Sequence, residues 1–378
     1  MRNLITRQIT LLLGLTAAIF CTASFAASDN KKLAIDEVDG ELSVIVLGSG
    51  GPMPMASGRA SAGYLILTDG HPRLLMDLGG GSYQRLGESG ARIDKIDAIL
   101  LSHLHIDHMA DLSAAIKGIY FHARQYDEPR PATRPIHIYG PNENLTNGLT
   151  AQFPSSQHYV DTLYDPSTGI ERYLNSFSKL IHGGVFTYDV TNLDPFPGPP
   201  ALHPITTIIN DADGLVVKAV GVFHGPVPSV AFRIEYKGHS IVYTGDTNSR
   251  MPPSNPFDPV NTSVLSPLLI ALADHADLLI YDTAITDSEP NKIAPDPSLG
   301  IPAGFGDKLF FNLHTTPTTM GQIAAAAKAK TLVLSHITPV TEDVLDDVKD
   351  VVSAQGFDGK IKVAKDLKVY NLGGANDD

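Results

Sequence analysis

Short apolar runs rich in β-branched residues recur along this chain, and each is closed by glycine, proline or a small polar residue. Glu41 to Leu47, Gly63 to Leu67 and Arg73 to Met76 read as strands, with Gly48-Ser49-Gly50-Gly51-Pro52 as the first strong turn. Ile96 to Leu101 reads as a further buried strand. Ser229 to Tyr236 and His239 to Tyr243, joined at Lys237-Gly238, read as a hairpin. Helical spacing fits Asp111 to Arg124, Leu265 to Ala273, Thr319 to Ala329 and Thr341 to Ala354. The last of these opens with Glu342 and Asp343, acids suited to the positive end of a helix. Strands and helices mixed in this way suit an α/β fold of two sheets packed face to face with helices outside.

The first 26 residues break this pattern. A basic start (Arg2, Arg7), an apolar stretch from Ile9 to Phe20 and a small-residue close at Ser24-Phe25-Ala26 read as a cleaved signal peptide, which implies export to the periplasm or medium. The stretch is too short and wrongly flanked for a membrane span. Its removal takes away Cys21, the only cysteine, together with Arg2 and Arg7, so the net charge moves from -13 to -15. The rest, residues 27–378, is expected to form one domain with an insertion at about 154–200. A chain of that size buries a core large enough to need no disulfide.

The charge bears on partners. Polymeric nucleic acids are held largely by Lys and Arg at phosphates, and segment 154–200 carries only Arg172 and Lys179 against Asp161, Asp165, Glu171, Asp189 and Asp194. The expected partner is therefore a small substrate, with no nucleic-acid polymer, no membrane once the leader is gone, and a homodimer left open. Tyr159, Tyr164, Tyr173, Phe177, Phe186 and Tyr188, closed by Pro195 to Pro200, suggest an irregular cover offering aromatic surface to such a substrate, or else a satellite core beneath the insertion.

Chemistry concentrates at Ser102-His103-Leu104-His105-Ile106-Asp107-His108, directly after the Ile96 to Leu101 strand. So many buried polar groups on one short loop need partners, and a divalent metal supplies them. His103 and His105, two apart, can share one ion, while Asp107 and His108 lie past the turn and can face a second. The Gly-rich stretch Gly48 to Gly51 lacks the Lys-Ser/Thr of a phosphate loop and reads as a turn near the mouth of this site.

The His-x-His-x-Asp-His run resembles the signature of the metallo-β-lactamase superfamily, and further strand-terminal segments match its remaining motifs in order. Asp77, closing Arg73 to Gly79, corresponds to the family's carboxylate that supports the metal loop without touching the ions. His224 after Val220 to Phe223 corresponds to the third imidazole of the first ion, Asp246 in Gly245-Asp246-Thr247 to the carboxylate bridging both ions, and His336 after Thr331 to Ser335 to the last ligand of the second. The resemblance thus implies an αββα sandwich holding two zinc ions, replaceable by manganese or iron(II). His103, His105 and His224 would hold one ion, Asp107, His108 and His336 the other, with Asp246 between.

Tyr281-Asp282-Thr283 and His314-Thr315-Thr316 further resemble the ribonuclease Z-like group, in which an acid paired with a histidine serves the leaving group. Asp282 and His314 would take those parts here, and Asp107 would orient the attacking water. The implied activity is hydrolysis of anionic esters by a metal-activated water, foremost of phosphodiesters such as cyclic nucleotides. An arylsulfatase, a lactonase or β-lactamase-like amidase, and a non-catalytic zinc-binding protein are the alternatives.

Overall fold

A computed structural model of the chain describes residues 32–125, 134–143, 153–174, 187–196, 204–251, 264–288 and 309–374. The leader, Phe177, Phe186 and Pro197 to Pro200 lie outside the described residues.

Strands β1 (Leu42–Gly48), β2 (Gly63–Thr68), β3 (His71–Leu78), β4 (Ala98–Leu100), β5 (Ile136–Pro141) and β6 (Tyr188–Leu193) build one sheet. A second sheet holds β7 (Thr206–Asn210), β8 (Val216–His224), β9 (Val227–Tyr236), β10 (His239–Tyr243), β11 (Leu278–Asp282), β12 (Thr331–Ser335) and β13 (Lys360–Val363). The last strand, β14 (Val369–Leu372), returns to the first sheet and pairs antiparallel with β1. Both sheets are mixed: β3, β4, β5 and β6 run parallel, as do β10, β11, β12 and β13.

The central strands are apolar because both faces of each sheet are covered there, whereas the edge strands β6, β7 and β13 are partly exposed and carry polar residues. Along β1, Val44 and Val46 face the second sheet while Ile45 and Leu47 face outward helices. Between the sheets, Tyr64, Ile66, Met76 and Leu100 meet Val230, Phe232, Ile241, Tyr243 and Ile280. Outside the first sheet, Leu112, Ala115, Ile116 and Ile119 of the helix Leu112–Gln125 cover Leu65, Leu75 and Ile99. Outside the second, Leu269, Met320, Ile323, Val348 and Val352 cover Val242, Leu279, Leu332 and Leu334. Each such side chain contributes about 1.5–3 kcal/mol on burial, and the four layers form the expected αββα sandwich.

Some expectations shift. The fourth strand is confined to Ala98–Leu100. The helix expected from Thr341 is two helices, Pro339–Glu342 and Leu345–Ser353, because Val344 leaves helical geometry at φ -123°, ψ 22°; Asp346 and Asp347 occupy the opening turn of the second. Helices at 267 and 317 open where proline follows a capping hydroxyl, Ser266 and Thr316, each accepting a backbone N–H.

The insertion at 154–200 is not an irregular cover where it is described. It supplies the helix Ser156–Tyr164 and the edge strand β6. Tyr164 is fully buried, its hydroxyl on Ser113, and Tyr159 and Tyr188 pack against the same outer core. Tyr173 is exposed. The satellite-core alternative therefore holds for Tyr159, Tyr164 and Tyr188. A helical stretch facing a sheet buries its aromatics there, whatever their sequence suggests about a substrate.

Candidate metal centre

Strands of both sheets end on one rim, and each of the singled-out side chains but His314 sits at such an end. Asp77 closes β3, the histidine loop follows β4, His224 ends β8, Asp246 follows β10, Asp282 ends β11 and His336 follows β12. Within the loop, His103 precedes the helical turn and His105 lies on extended backbone, whereas Asp107 and His108 lie on the single helical turn Ile106–Met109. That change of backbone aims the two pairs at different places.

Asp77 holds this loop from beneath. Its carboxylate accepts from the Ser102 N–H (2.7 Å), the Ser102 hydroxyl (2.6 Å) and the Tyr243 hydroxyl (2.7 Å), and pairs with His108 Nδ1 at 2.8 Å. It adopts φ +52°, and His336 adopts φ +55°, a left-handed backbone that costs non-glycine residues about 1–3 kcal/mol and collects at functional sites. Gly79, two residues on, is forced to be glycine: a Cβ there would stand 2.0 Å from the Asp107 carbonyl oxygen. Gly79→Ala is therefore expected to push the loop outward, costing about 1–3 kcal/mol in thermal unfolding and lowering metal content; an unchanged metal content would refute the link.

His103, His105 and His224 form one compact group. His224 Nδ1 donates to the Leu313 carbonyl at 2.6 Å, which leaves its Nε2 facing His105 Nδ1 at 3.3 Å. Burial holds His103 and His105 below the ordinary histidine pKa and pushes His224 down to about 3. Three neutral imidazoles converge here, the state metal ligation requires.

Asp107, His108, Asp246 and His336 form a second group. His336 Nε2 lies 3.1 Å from Asp107 and 3.3 Å from Asp246, and His108 Nε2 lies 3.4 Å from each. Burial opposes charge on these histidines, but Asp246 and Asp107 outweigh it, raising His108 well above its ordinary value and His336 to about 10. The field at this second group thus favours a cation. Asp246 also lies 3.8 Å from His103 and 4.0 Å from His224, so one carboxylate faces both groups.

The donor set fits two metal ions. His103 Nε2, His108 Nε2 and Asp246 Oδ1 are buried without a hydrogen-bond partner, a state that buried polar atoms rarely adopt unless an ion completes them.

Asp282 and His314 are brought together as the sequence suggested, at 2.8 Å and both buried. Burial works against charge on His314, yet the Asp282 carboxylate beside it prevails and raises its pKa. Asp282 does more than the sequence indicated: its other oxygen lies 3.3 Å from His336 Nδ1. Sequence reasoning also missed Tyr243 and the Leu313 carbonyl. Both lie within or beside motifs already noted, but their partners sit 166 and 89 residues away. Gly51, in the glycine-rich turn, packs against the His336 ring, which places that turn at the site as expected.

Fold and site together define a metallohydrolase built on an αββα sandwich. The chain belongs to the Metallo-beta-lactamase superfamily, whose model matches residues 57–336. It is 26% identical over 328 residues to a Ribonuclease Z of Mycobacterium marinum, covering 86% of this chain and 97% of that relative. Among solved structures it is similar to the metallo-beta-lactamase fold protein YhfI from Bacillus subtilis (TM-score 0.57, 20% identity, 87% of this chain and 98% of that one). It is also similar to human tRNase Z, short form (TM-score 0.55, 23% identity, 87% and 99%).

These relatives correct the expectation that no nucleic-acid polymer is a partner, since a Ribonuclease Z is matched along 97% of its own length. Net charge misled for two physical reasons. Asp107 and Asp246 count as negative in the sequence but are buried among the histidines of the site, where bound metal would neutralise them. Folding also sets Arg59 and Lys349 beside Lys362, Lys365 and Lys368 around one groove, interleaved with Glu342, Asp343, Asp346 and Asp347; the run Lys360 to Lys368 is a linear basic cluster that the reading of net charge passed over.

Proposed function

We propose that the protein is a dinuclear zinc phosphodiesterase acting on diesters with an alkoxide leaving group. His314 carries this reading. It belongs to neither ligand set, its Nδ1 is held by buried Asp282, and it stands 3.8 Å from Asp246 at the edge of the metal centre. Two zinc ions, held by His103, His105 and His224 and by Asp107, His108, Asp246 and His336, would supply an activated water and neutralise charge on the attacked phosphoryl group. Asp107 accepts a hydrogen from that water and orients it. His314 then delivers a proton from Nε2 to the departing oxygen while Asp282 keeps hold of the Nδ1 proton and stabilises the ring's charge.

The ribonuclease relatives support phosphorus as the reacting centre and bring RNA into the substrate class beside small diesters such as cyclic nucleotides. The leader-like first 26 residues support export to the periplasm or medium. Purified protein offered a nitrophenyl phosphate diester, a phosphate monoester, an aryl sulfate, a lactone and a 3′-extended RNA is expected to hydrolyse the diester and the RNA. Faster turnover of the sulfate than of the diester would move the protein to the arylsulfatases and overturn this reading.

A further inference from the structure

Two buried tyrosines cross the sandwich in opposite directions directly beneath the second ion group. Tyr243, on β10 of the second sheet, donates its hydroxyl at 2.7 Å to Asp77 on β3 of the first sheet, and Asp77 holds His108 at 2.8 Å. Tyr64, on β2 of the first sheet, shares a 2.6 Å hydrogen bond with the hydroxyl of Ser335, which ends β12 of the second sheet and precedes His336. The two rings pack on each other, centroids 4.9 Å apart at 54°. Tyr64 is fully buried and Tyr243 is 2% exposed.

Each strut therefore runs from one sheet to the residue that supports a ligand on the other. His108 and His336 are the imidazoles joined in this way, and their own rings lie 5.0 Å apart. Among the described residues only the Tyr243 strut also reaches the first group, because Asp77 accepts from the Ser102 hydroxyl that lies 3.1 Å from His103; His224 is anchored by the Leu313 carbonyl, and the Tyr64 strut leads to His336 alone. Burial raises both phenols further above their ordinary range, so both stay protonated and Tyr243 keeps the proton it donates to Asp77.

Resting on the dinuclear reading above, we infer that Tyr64 and Tyr243 are positioning residues that set the separation of His108 and His336, and so the affinity of the second ion in particular. A hydrogen-bond partner behind a metal ligand typically governs about 10–100-fold of metal affinity. A pair that only stiffened the core would alter unfolding and leave the two ions equally bound.

The test titrates metal-free wild-type, Tyr243→Phe and Tyr64→Phe proteins with Zn²⁺ against a chromophoric chelator, resolving first and second equivalents, with far-UV circular dichroism as a check on fold. Phenylalanine keeps the ring packing and removes only the hydroxyl. Tyr64→Phe is expected to weaken one of the two equivalents by about 10–100-fold and to leave the other at its wild-type affinity, and Tyr243→Phe, whose acceptor Asp77 also holds Ser102, to weaken that same equivalent the most. The two act through different hydrogen bonds, so a folding failure in one leaves the other to decide. A lowered thermal midpoint with both affinities unchanged, or equal weakening of both equivalents, overturns the assignment. A wild-type protein that binds a single equivalent instead fails the dinuclear reading itself, and this inference with it.

Discussion

Replacing Asp246 by alanine is expected to lower diester hydrolysis by at least about a thousandfold, because the ion pair supplies several kcal/mol of charge stabilisation and each 1.36 kcal/mol is tenfold in rate. Chelation of the wild-type protein should do the same. Asp246 is nearly inaccessible and is the one carboxylate facing all of His103, His224, His108 and His336. Without it the two groups lose their shared acceptor, and His108 and His336 lose the principal cause of their raised pKa. Elemental analysis of purified protein is expected to return about two metal ions per chain, with fewer in Asp246→Ala and in His103→Ala. Full activity with one tightly held ion would contradict the dinuclear site.

His314→Ala is expected to behave in the opposite manner toward metal and in a substrate-dependent manner toward rate. Both ions should remain, because neither compact ligand group of His103, His105, His224 or Asp107, His108, Asp246, His336 includes it. A third compact group does include His314, with Asp246, Asp282 and His336, but its Nδ1 is committed to Asp282 at 2.8 Å. Turnover of a diester with an alkoxide leaving group should fall by about a hundred-fold to ten-thousand-fold, the range of general-acid assistance. A nitrophenolate departs unaided, so the loss there should be small. Equal slowing of both substrates would make His314 a contact to phosphoryl oxygens; loss of metal would redraw the ligand sets.

The site was more legible in the sequence than its surroundings were. Each metal-facing residue lies at the end of a strand or in the segment just after it, so the apolar runs located them, and the two-residue step from His103 to His105 against the helical turn at Asp107 and His108 separated the two groups. Asp77 as the support of the loop followed from the motif as well. The Asp282 to His314 pairing followed too, but its second contact, to His336, did not, because it depends on how β11 and β12 lie side by side.

What the sequence determined by itself was local: the period of the strands, the turn residues between them, and the placing of titratable groups at strand ends. Those signals act over a few residues and survive any packing. The tertiary structure decided what lies across the sandwich. It turned Tyr164 and Tyr188 of the insertion into core and edge strand, split the helix at Val344, gathered lysines from separate elements around one groove, and paired Tyr243 with Asp77 and Tyr64 with Ser335. The two tyrosine pairs are separated by 166 and 271 residues. They meet only because two twisted sheets bury their facing sides together, and no period along the chain records which side chain will stand opposite which.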